Sequence, residues 1–150
     1  MRIYLVQHAE AKPEEEDPAR PLSKKGEEEA VKVAKFLAKF VRVSKILHSG
    51  KLRALQTAKI LAEELLPTEM REALGLTPLD DPLPWVEELK RTEEDLMLVG
   101  HMPHLGKLAS LLLSGEEGRV KLGFKPGTVV CLEKEGEKWV LKWMLSPEIL

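Results

Sequence analysis

The sequence predicts an α/β fold: a three-layer α/β/α sandwich on a mostly parallel central sheet, with an antiparallel edge from a C-terminal hairpin and no large helical lid. Three features carry this reading. Short apolar runs at residues 2–6, 44–49 and 96–99 lack strict alternation, as suits strands buried on both faces of a parallel sheet. Segments of helical periodicity lie between them, which implies βαβ units. The last stretch changes character, with strand-like runs at 128–133 and 139–146 around a turn at Glu135-Gly136.

Taken in order, Ile3, Tyr4, Leu5 and Val6 make the first strand, and Glu14-Glu15-Glu16-Asp17-Pro18 is too polar for anything but a loop. Ser23 offers a helix N-cap ahead of Ala30, Val33, Ala34 and Leu37 at helical spacing. Ile46 and Leu47 carry the second strand. From Lys51 a second helix is expected, with Leu52, Leu55, Ala58, Ile60, Ala62 and Leu65 on its apolar side. Residues 67–84 hold four prolines and one glycine, so they read as an irregular connection with one strand near 70–74. A short helix at 85–91 and the strand at 96–99 follow. Pro103 then opens a helix whose face is Leu105, Leu108, Ala109 and Leu112. No repeat or low-complexity linker divides residues 1–150, and a single domain is expected.

Composition narrows the function. The chain has 150 residues, 43% of them hydrophobic, enough for a sizeable core, and a net charge of −2 from 23 Lys+Arg against 25 Asp+Glu. Nucleic acid is not an expected partner, because displacing phosphate counterions needs a positive field. A lone Cys131 precludes an internal disulfide or a cysteine-based zinc site. No apolar run approaches the roughly 20 residues of a membrane span, and the N-terminal one is too short for a signal peptide, so a cytoplasmic location and no membrane partner are expected. The absence of Asn, with Gln7 and Gln56 the only glutamines, points to a thermophilic source.

In open α/β sheets ligands bind beyond the carboxyl ends of the strands. All four histidines fall there: His8 after the first strand, His48 at the end of the second, His101 and His104 after the third. Arg53 lies in the first turn of the second helix and Lys51 two residues earlier. Cations there oppose the helix macrodipole at a cost of roughly 0.3–1 kcal/mol each, which a bound anion would relieve. The competing reading pairs Arg53 with Glu27, Glu28 or Glu29. A metal fits less well than phosphate: no His-Glu-x-x-His occurs, the histidines lack zinc spacing, and Arg53 repels a cation. A neutral imidazole is a competent nucleophile toward phosphorus near pH 7, and a second, protonated one would stabilise the equatorial oxygens.

Four motifs resemble those of the histidine phosphatase superfamily, the phosphoglycerate mutase-like fold. Leu5-Val6-Gln7-His8-Ala9 is similar to its Arg-His-Gly signature, and Arg20-Pro21-Leu22-Ser23-Lys24-Lys25-Gly26 to its Arg-Pro-Leu-Thr-x-x-Gly element. His48-Ser49-Gly50-Lys51-Leu52-Arg53-Ala54-Leu55-Gln56-Thr57-Ala58 is similar to Ser-Ser-Pro-x-x-Arg-Ala-x-Gln-Thr-Ala, and Val99-Gly100-His101-Met102-Pro103 to Val-Gly-His-x-Pro. They come in family order. The short chain and the Gly100-His101-x-Pro103 form resemble the SixA-type phosphohistidine phosphatases. The resemblance implies that His8 is the nucleophile, that Arg53 and His101 hold the transferring phosphoryl group, and that Gln7, Arg20 and Ser49 line the phosphate site. It implies no cofactor and no metal, and a phosphorylated substrate, with a phosphohistidine-bearing signalling protein the expected partner.

Two departures bear on chemistry. Gln7 stands where the family has arginine, exchanging a charge-assisted bond of roughly 1.5–3 kcal/mol for a neutral one of about 1 kcal/mol. Ala9 in place of glycine is milder, provided its φ is negative. No motif fixes a general acid. Glu72, Asp80 and Asp81 are the candidates, and their loose placement favours a phosphoramidate, whose imidazole leaving group can carry its own proton. Two alternatives stand beside the phosphatase: a phosphate- or protein-binding module that lost catalysis with Gln7, and a small-metabolite phosphatase or mutase. A mutase would need a lid for which the chain has little room.

Overall fold

The computed structural model describes residues 1–150. Its sheet has six strands in the order β3-β2-β4-β1-β5-β6: β1 (Arg2–Gln7), β2 (Lys45–His48), β3 (Glu69–Glu72), β4 (Leu96–Gly100), β5 (Val129–Glu135) and β6 (Lys138–Leu145). The first four are mutually parallel, β5 runs antiparallel to β1, and β6 antiparallel to β5. The helices are α1 (Lys24–Leu37), α2 (Leu52–Leu65), α3 (Leu83–Arg91) and α4 (His104–Ser114), with a 3-10 turn at Pro147–Ile149. This is the expected three-layer arrangement with its antiparallel edge, and no helical lid is present.

Alternation within the strands divides the core in two. Tyr4 and Val6 of β1, Met97 and Val99 of β4, and Val129 and Cys131 of β5 face one side, where Val33, Ala34 and Leu37 of α1 and Ala54, Ala58 and Leu61 of α2 cover them. Ile3, Leu5, Leu96, Leu98, Val130 and Leu132 face the other, beneath Trp85 and Leu89 of α3 and Leu105, Leu108 and Leu112 of α4. β1 and β4 are therefore apolar on both faces, which is why their sequences do not alternate. Removing that area from water is the main stabilising term, roughly 1.5–3 kcal/mol for each large apolar side chain buried.

The structure differs from the sequence expectation in three places. The third strand spans Glu69–Glu72, slightly earlier than expected, because its backbone pairs with Lys45–His48 whatever its side chains are. α3 begins at Leu83 and carries Pro84 in its first turn, where a missing N–H costs nothing. In α2 the buried face is Ala54, Thr57, Ala58 and Leu61, while Leu52 is exposed. Small side chains let that helix approach the sheet closely; of the expected apolar side, Ala58 is in the core and Ile60, Ala62 and Leu65 pack at its edge.

One close approach sets the entry to α1. Ser23 caps the helix by accepting the Gly26 N–H at 3.0 Å, its hydroxyl donates to Glu10 Oε1 at 2.8 Å, and its N–H donates to the Glu10 carbonyl at 2.9 Å. A Cβ on Gly26 would collide with the Glu10 backbone, 2.9 Å from the carbonyl carbon and closer still to its oxygen. Gly26→Ala is expected to cost about 1–3 kcal/mol, the usual range for overpacking. Urea denaturation checks it, and an unchanged midpoint would mean the chain after His8 does not rest on α1.

Candidate active site

The carboxyl ends of β1, β2 and β4 deliver the site. His8 follows β1, His48 ends β2 and leads into Ser49, and His101 follows β4. The His8 N–H donates to the Gly100 carbonyl at 3.0 Å, which fixes the two strand ends against each other. The rings of His8 and His101 then lie 5.0 Å apart between centroids, tilted by 54°.

Each ring has a defined surrounding. His8 Nδ1 is 2.7 Å from the Ala9 carbonyl oxygen. A carbonyl only accepts, so Nδ1 carries the proton and Nε2 keeps its lone pair. His101 Nε2 is 2.6 Å from the Ser49 hydroxyl, whose oxygen also accepts the Lys51 N–H at 3.2 Å, and His101 Nδ1 is buried without a partner. His8 is pushed down to about 4 by burial first, with Arg53 and Arg20 adding to the shift against the opposing Ala9 hydrogen bond. His101 is pushed down to about 3, again chiefly by burial, then by His8, Arg53, Lys51 and His104. Both rings are neutral at pH 7.

Arg53 sits in the first turn of α2 and makes no ion pair. The expected alternative partners on α1, Glu27 to Glu29, do not reach it, and its Nε is buried without a hydrogen-bond acceptor. Burial and then Arg20 hold it below its ordinary value. Arg20 reaches this region from the first loop. Its backbone is left-handed at φ 48°, rare for a residue with a side chain, and its Nε donates to the Lys12 carbonyl at 3.1 Å. Gln7 ends β1 with its Oε1 buried and unpartnered.

Helix starts add to this field. Ser23 caps α1, and Asp81 Oδ1 accepts the Leu83 N–H at 3.0 Å at the start of α3. α2 and α4 have no side-chain cap and no acidic residue in the first turn. These two helices are the ones that begin at the site, so they turn positive, under-satisfied N-termini toward an anion.

The sequence motifs also contain supports whose roles were not evident. Thr57 Oγ1 accepts the Ala9 N–H at 2.9 Å and donates to the Arg53 carbonyl at 2.8 Å, tying the residue after His8 to the turn that bears Arg53. Gln56 Oε1 accepts the Leu22 N–H at 2.7 Å, holding the loop of Arg20 to α2. Their only sequence signal is their place in the Arg53-Ala54-Leu55-Gln56-Thr57-Ala58 motif.

The remaining candidates separate. His48 accepts the Gly50 N–H at 3.1 Å through Nδ1 and is packed beside the sheet. His104 is fully buried as the first residue of α4, and neither ring nitrogen has a partner. The Glu72 carboxylate lies against Gly50, where a Cβ would come within 2.6 Å of it. Asp80 Oδ2 accepts from Thr77 Oγ1 at 2.6 Å and Thr77 N–H at 2.8 Å, and these bonds hold it below its usual value. That shift keeps Asp80 anionic, the opposite of what a proton donor needs, and Asp81 is engaged at the α3 start. No group of three or more His, Cys, Asp or Glu side chains is arranged to hold a metal ion.

A family model for the histidine phosphatase superfamily (branch 1) matches residues 3–76. An uncharacterized protein of Picosynechococcus sp. (strain ATCC 27264 / PCC 7002 / PR-6) is 36% identical over 140 residues, covering 88% of this chain and 84% of that protein. The chain belongs to the histidine phosphatase superfamily. Within this family of phosphatases its architecture is that of the SixA-type branch. It matches the protein histidine phosphatase SixA, solved with tungstate, at TM-score 0.87 and 24% identity over 99% of both chains. A protein of Agrobacterium tumefaciens assigned as a SixA phosphohistidine phosphatase matches at TM-score 0.79 and 25% identity over 97% of both. No helix is long and apolar enough to cross a membrane.

The neutral rings make stability pH-dependent with a definite sign. Unfolded histidine titrates near 6.5, so on acidification the unfolded chain takes up protons that folded His8 and His101 refuse until about pH 4 and about pH 3. This contribution is absent above pH 7 and grows as pH falls through 6.5 toward 4. Melting temperature is therefore expected to drop between pH 7.5 and 4.5, and His101→Gln to flatten that drop. Parallel profiles for the two proteins would mean that His101 is not held neutral.

Proposed function

We propose that this protein is a metal-independent phosphatase working through a phosphohistidine on His8, with protein-borne phosphohistidine as its substrate. The observation that carries the reading is the proton on His8 Nδ1, fixed by the Ala9 carbonyl, which leaves Nε2 unprotonated in a pocket of Arg53, Arg20 and His101. In the first step the Nε2 lone pair forms the N–P bond as the bond from phosphorus to the leaving group breaks. In the second, water attacks the phosphoryl group, the N–P bond breaks and its electrons return to Nε2, releasing inorganic phosphate. Arg53 and Arg20 carry fixed charge for the phosphoryl oxygens, and Ser49 and the two uncapped helix starts supply donors. A dianion against His101 offsets the burial that keeps its ring neutral, so the imidazolium forms as phosphate arrives. No metal is required for charge neutralisation in this scheme.

Substrate class follows from the leaving group and the mouth. Asp80 is held anionic by its bonds to Thr77, and the Asp81 carboxylate is engaged at the start of α3, so neither is set to protonate an alkoxide leaving group. A phosphohistidine imidazole leaves without such help. Exposed Leu52 at the start of α2 and Leu74, Leu79 and Met102 on the loops that follow β3 and β4 stand beyond the strand ends, and beside Met102 a groove of about 480 Å³ continues past Leu122 and Phe124. Such apolar area around a charged pocket suits a folded protein better than a small metabolite. Neutral, unpartnered Gln7 favours one rival, a phosphate-binding module with lost turnover.

The deciding assay follows phosphate release from a phosphohistidine protein and from p-nitrophenyl phosphate, with EDTA present. Turnover is expected with both, and trapped phosphate should be stable to base and labile to acid, as a phosphoramidate is. His8→Ala is expected to lose about a thousandfold or more. Gln7→Arg is expected to raise kcat/KM about tenfold, the worth of roughly 1.4 kcal/mol of transition-state binding. A parent protein that binds phosphate but releases none, and that gains turnover with Gln7→Arg, would make it the binding module.

A further inference from the structure

The connection from β3 to α3 crosses the carboxyl ends of β2 and β4. The Ala73 N–H donates to the His48 carbonyl at 2.9 Å, and the Leu76 carbonyl oxygen packs against Gly100, 3.3 Å from where a Cβ would stand. Gly100 immediately precedes His101, so this connection lies over the second histidine. It returns through a tight turn in which Asp80 N–H donates to the Thr77 carbonyl at 3.2 Å. Thr77 engages one carboxylate oxygen of Asp80 twice, and the other, Oδ1, accepts no hydrogen bond and pairs with no cation. Lys51 and buried His104 are the positive and polar groups in its electrostatic reach. The result is a rigidly held carboxylate with a free oxygen, set beside an otherwise cationic pocket.

In-line transfer places the leaving group on the side of phosphorus away from His8, so it departs toward the loops that close over the strand ends, of which this connection is one. We propose that Asp80 is a specificity residue that reads the leaving group: its free oxygen accepts the N–H of the substrate imidazole and selects phosphoramidates over phosphate esters. The proposal rests on the phosphohistidine reading above and deepens it. A phosphorylated imidazole has one nitrogen bonded to phosphorus and a second that takes a proton near neutrality. Paired with Asp80, that second nitrogen stays protonated. When His8 Nε2 forms its bond to phosphorus, the breaking P–N bond leaves its electron pair on the imidazole, which departs neutral with its N–H intact. Asp80 neither gives nor takes a proton, so an anionic carboxylate serves where a general acid would otherwise be needed. An ester leaving group has no N–H to offer and brings its own negative character toward Asp80, which disfavours it.

The test separates this from a structural role for the turn. His8→Asn blocks turnover, and Kd values for N-phosphoimidazole and phenyl phosphate are measured on it by calorimetry, with and without Asp80→Asn. Removal of the charge is expected to weaken N-phosphoimidazole at least fivefold and to tighten phenyl phosphate, movements in opposite directions. Asp80→Glu should restore part of the preference. Weakening of both ligands together, or movement of neither, would overturn the proposal while leaving the phosphatase intact. Failure of the parent protein to bind either ligand, together with no phosphate release in the assay above, would remove the phosphohistidine reading and this inference with it.

Discussion

Unbalanced positive charge is the constraint around which this molecule is organised. Arg53 and Arg20 converge on two imidazoles, and no carboxylate answers them. Bringing such groups together out of water is unfavourable, and the chain meets the cost by leaving both rings neutral and by fixing every piece of backbone nearby. The Gly100 carbonyl holds His8, Thr57 holds Ala9, and Gln56 holds the loop of Arg20. A site assembled in this way has its charges in position before any ligand arrives, so a phosphoryl group meets a field that needs little rearrangement.

The same constraint accounts for features that would look like flaws in a purely structural reading. Two helices lack caps, two imidazole nitrogens of His104 and one of His101 are buried without partners, and Arg20 adopts a left-handed backbone. Each costs free energy, on the order of 1–3 kcal/mol for a buried unsatisfied group. They gather at the carboxyl ends of β2 and β4 and in the loop that supplies Arg20, while the other left-handed residue with a side chain, Leu66, closes α2 at its far end. The packed faces beneath, apolar on both sides of β1 and β4, carry the stability against which this local strain is set.

How much of this was legible in the sequence depended on whether the signal was local. β1 and β4 announced themselves as apolar runs, and the nearness of His8, Arg53 and His101 followed because a parallel sheet puts strand ends together, whereas Ser49 entered through motif resemblance. β3 was harder: Glu69-Met70-Arg71-Glu72 has one apolar residue, and its pairing is a property of β2 and not of its own side chains. The buried face of α2 was read in part: Ala58 lies in the core and Ile60, Ala62 and Leu65 pack against it, while Ala54, Thr57 and Leu61 are buried because closeness of approach counts beside hydrophobicity. Thr57 and Gln56 gave no sign of their work, since their partners are backbone groups 48 and 34 residues away. His104 falls after the third strand in the sequence, and only the packing of α4 against the sheet puts it wholly inside.

The position of β1 has a consequence for how the chain comes to its final state. It precedes the other five strands in the chain, yet its two neighbours are Leu96–Gly100 on one side and Val129–Glu135 on the other. Loop closure over such separations is slow compared with forming α1 or α2, so the oldest strand is among the last to be enclosed. The Gln7 N–H waits for the carbonyl of Thr128, and the Gly127 N–H bridges the carbonyls of Gln7 and His8 at 3.1 Å each. A nascent chain stopped short of the β5–β6 hairpin has every candidate site residue in hand and no frame to hold the first of them. Assembly of the site is thus tied to a distant part of the chain: the pocket closes only once Val129–Glu135 is available to pair with β1.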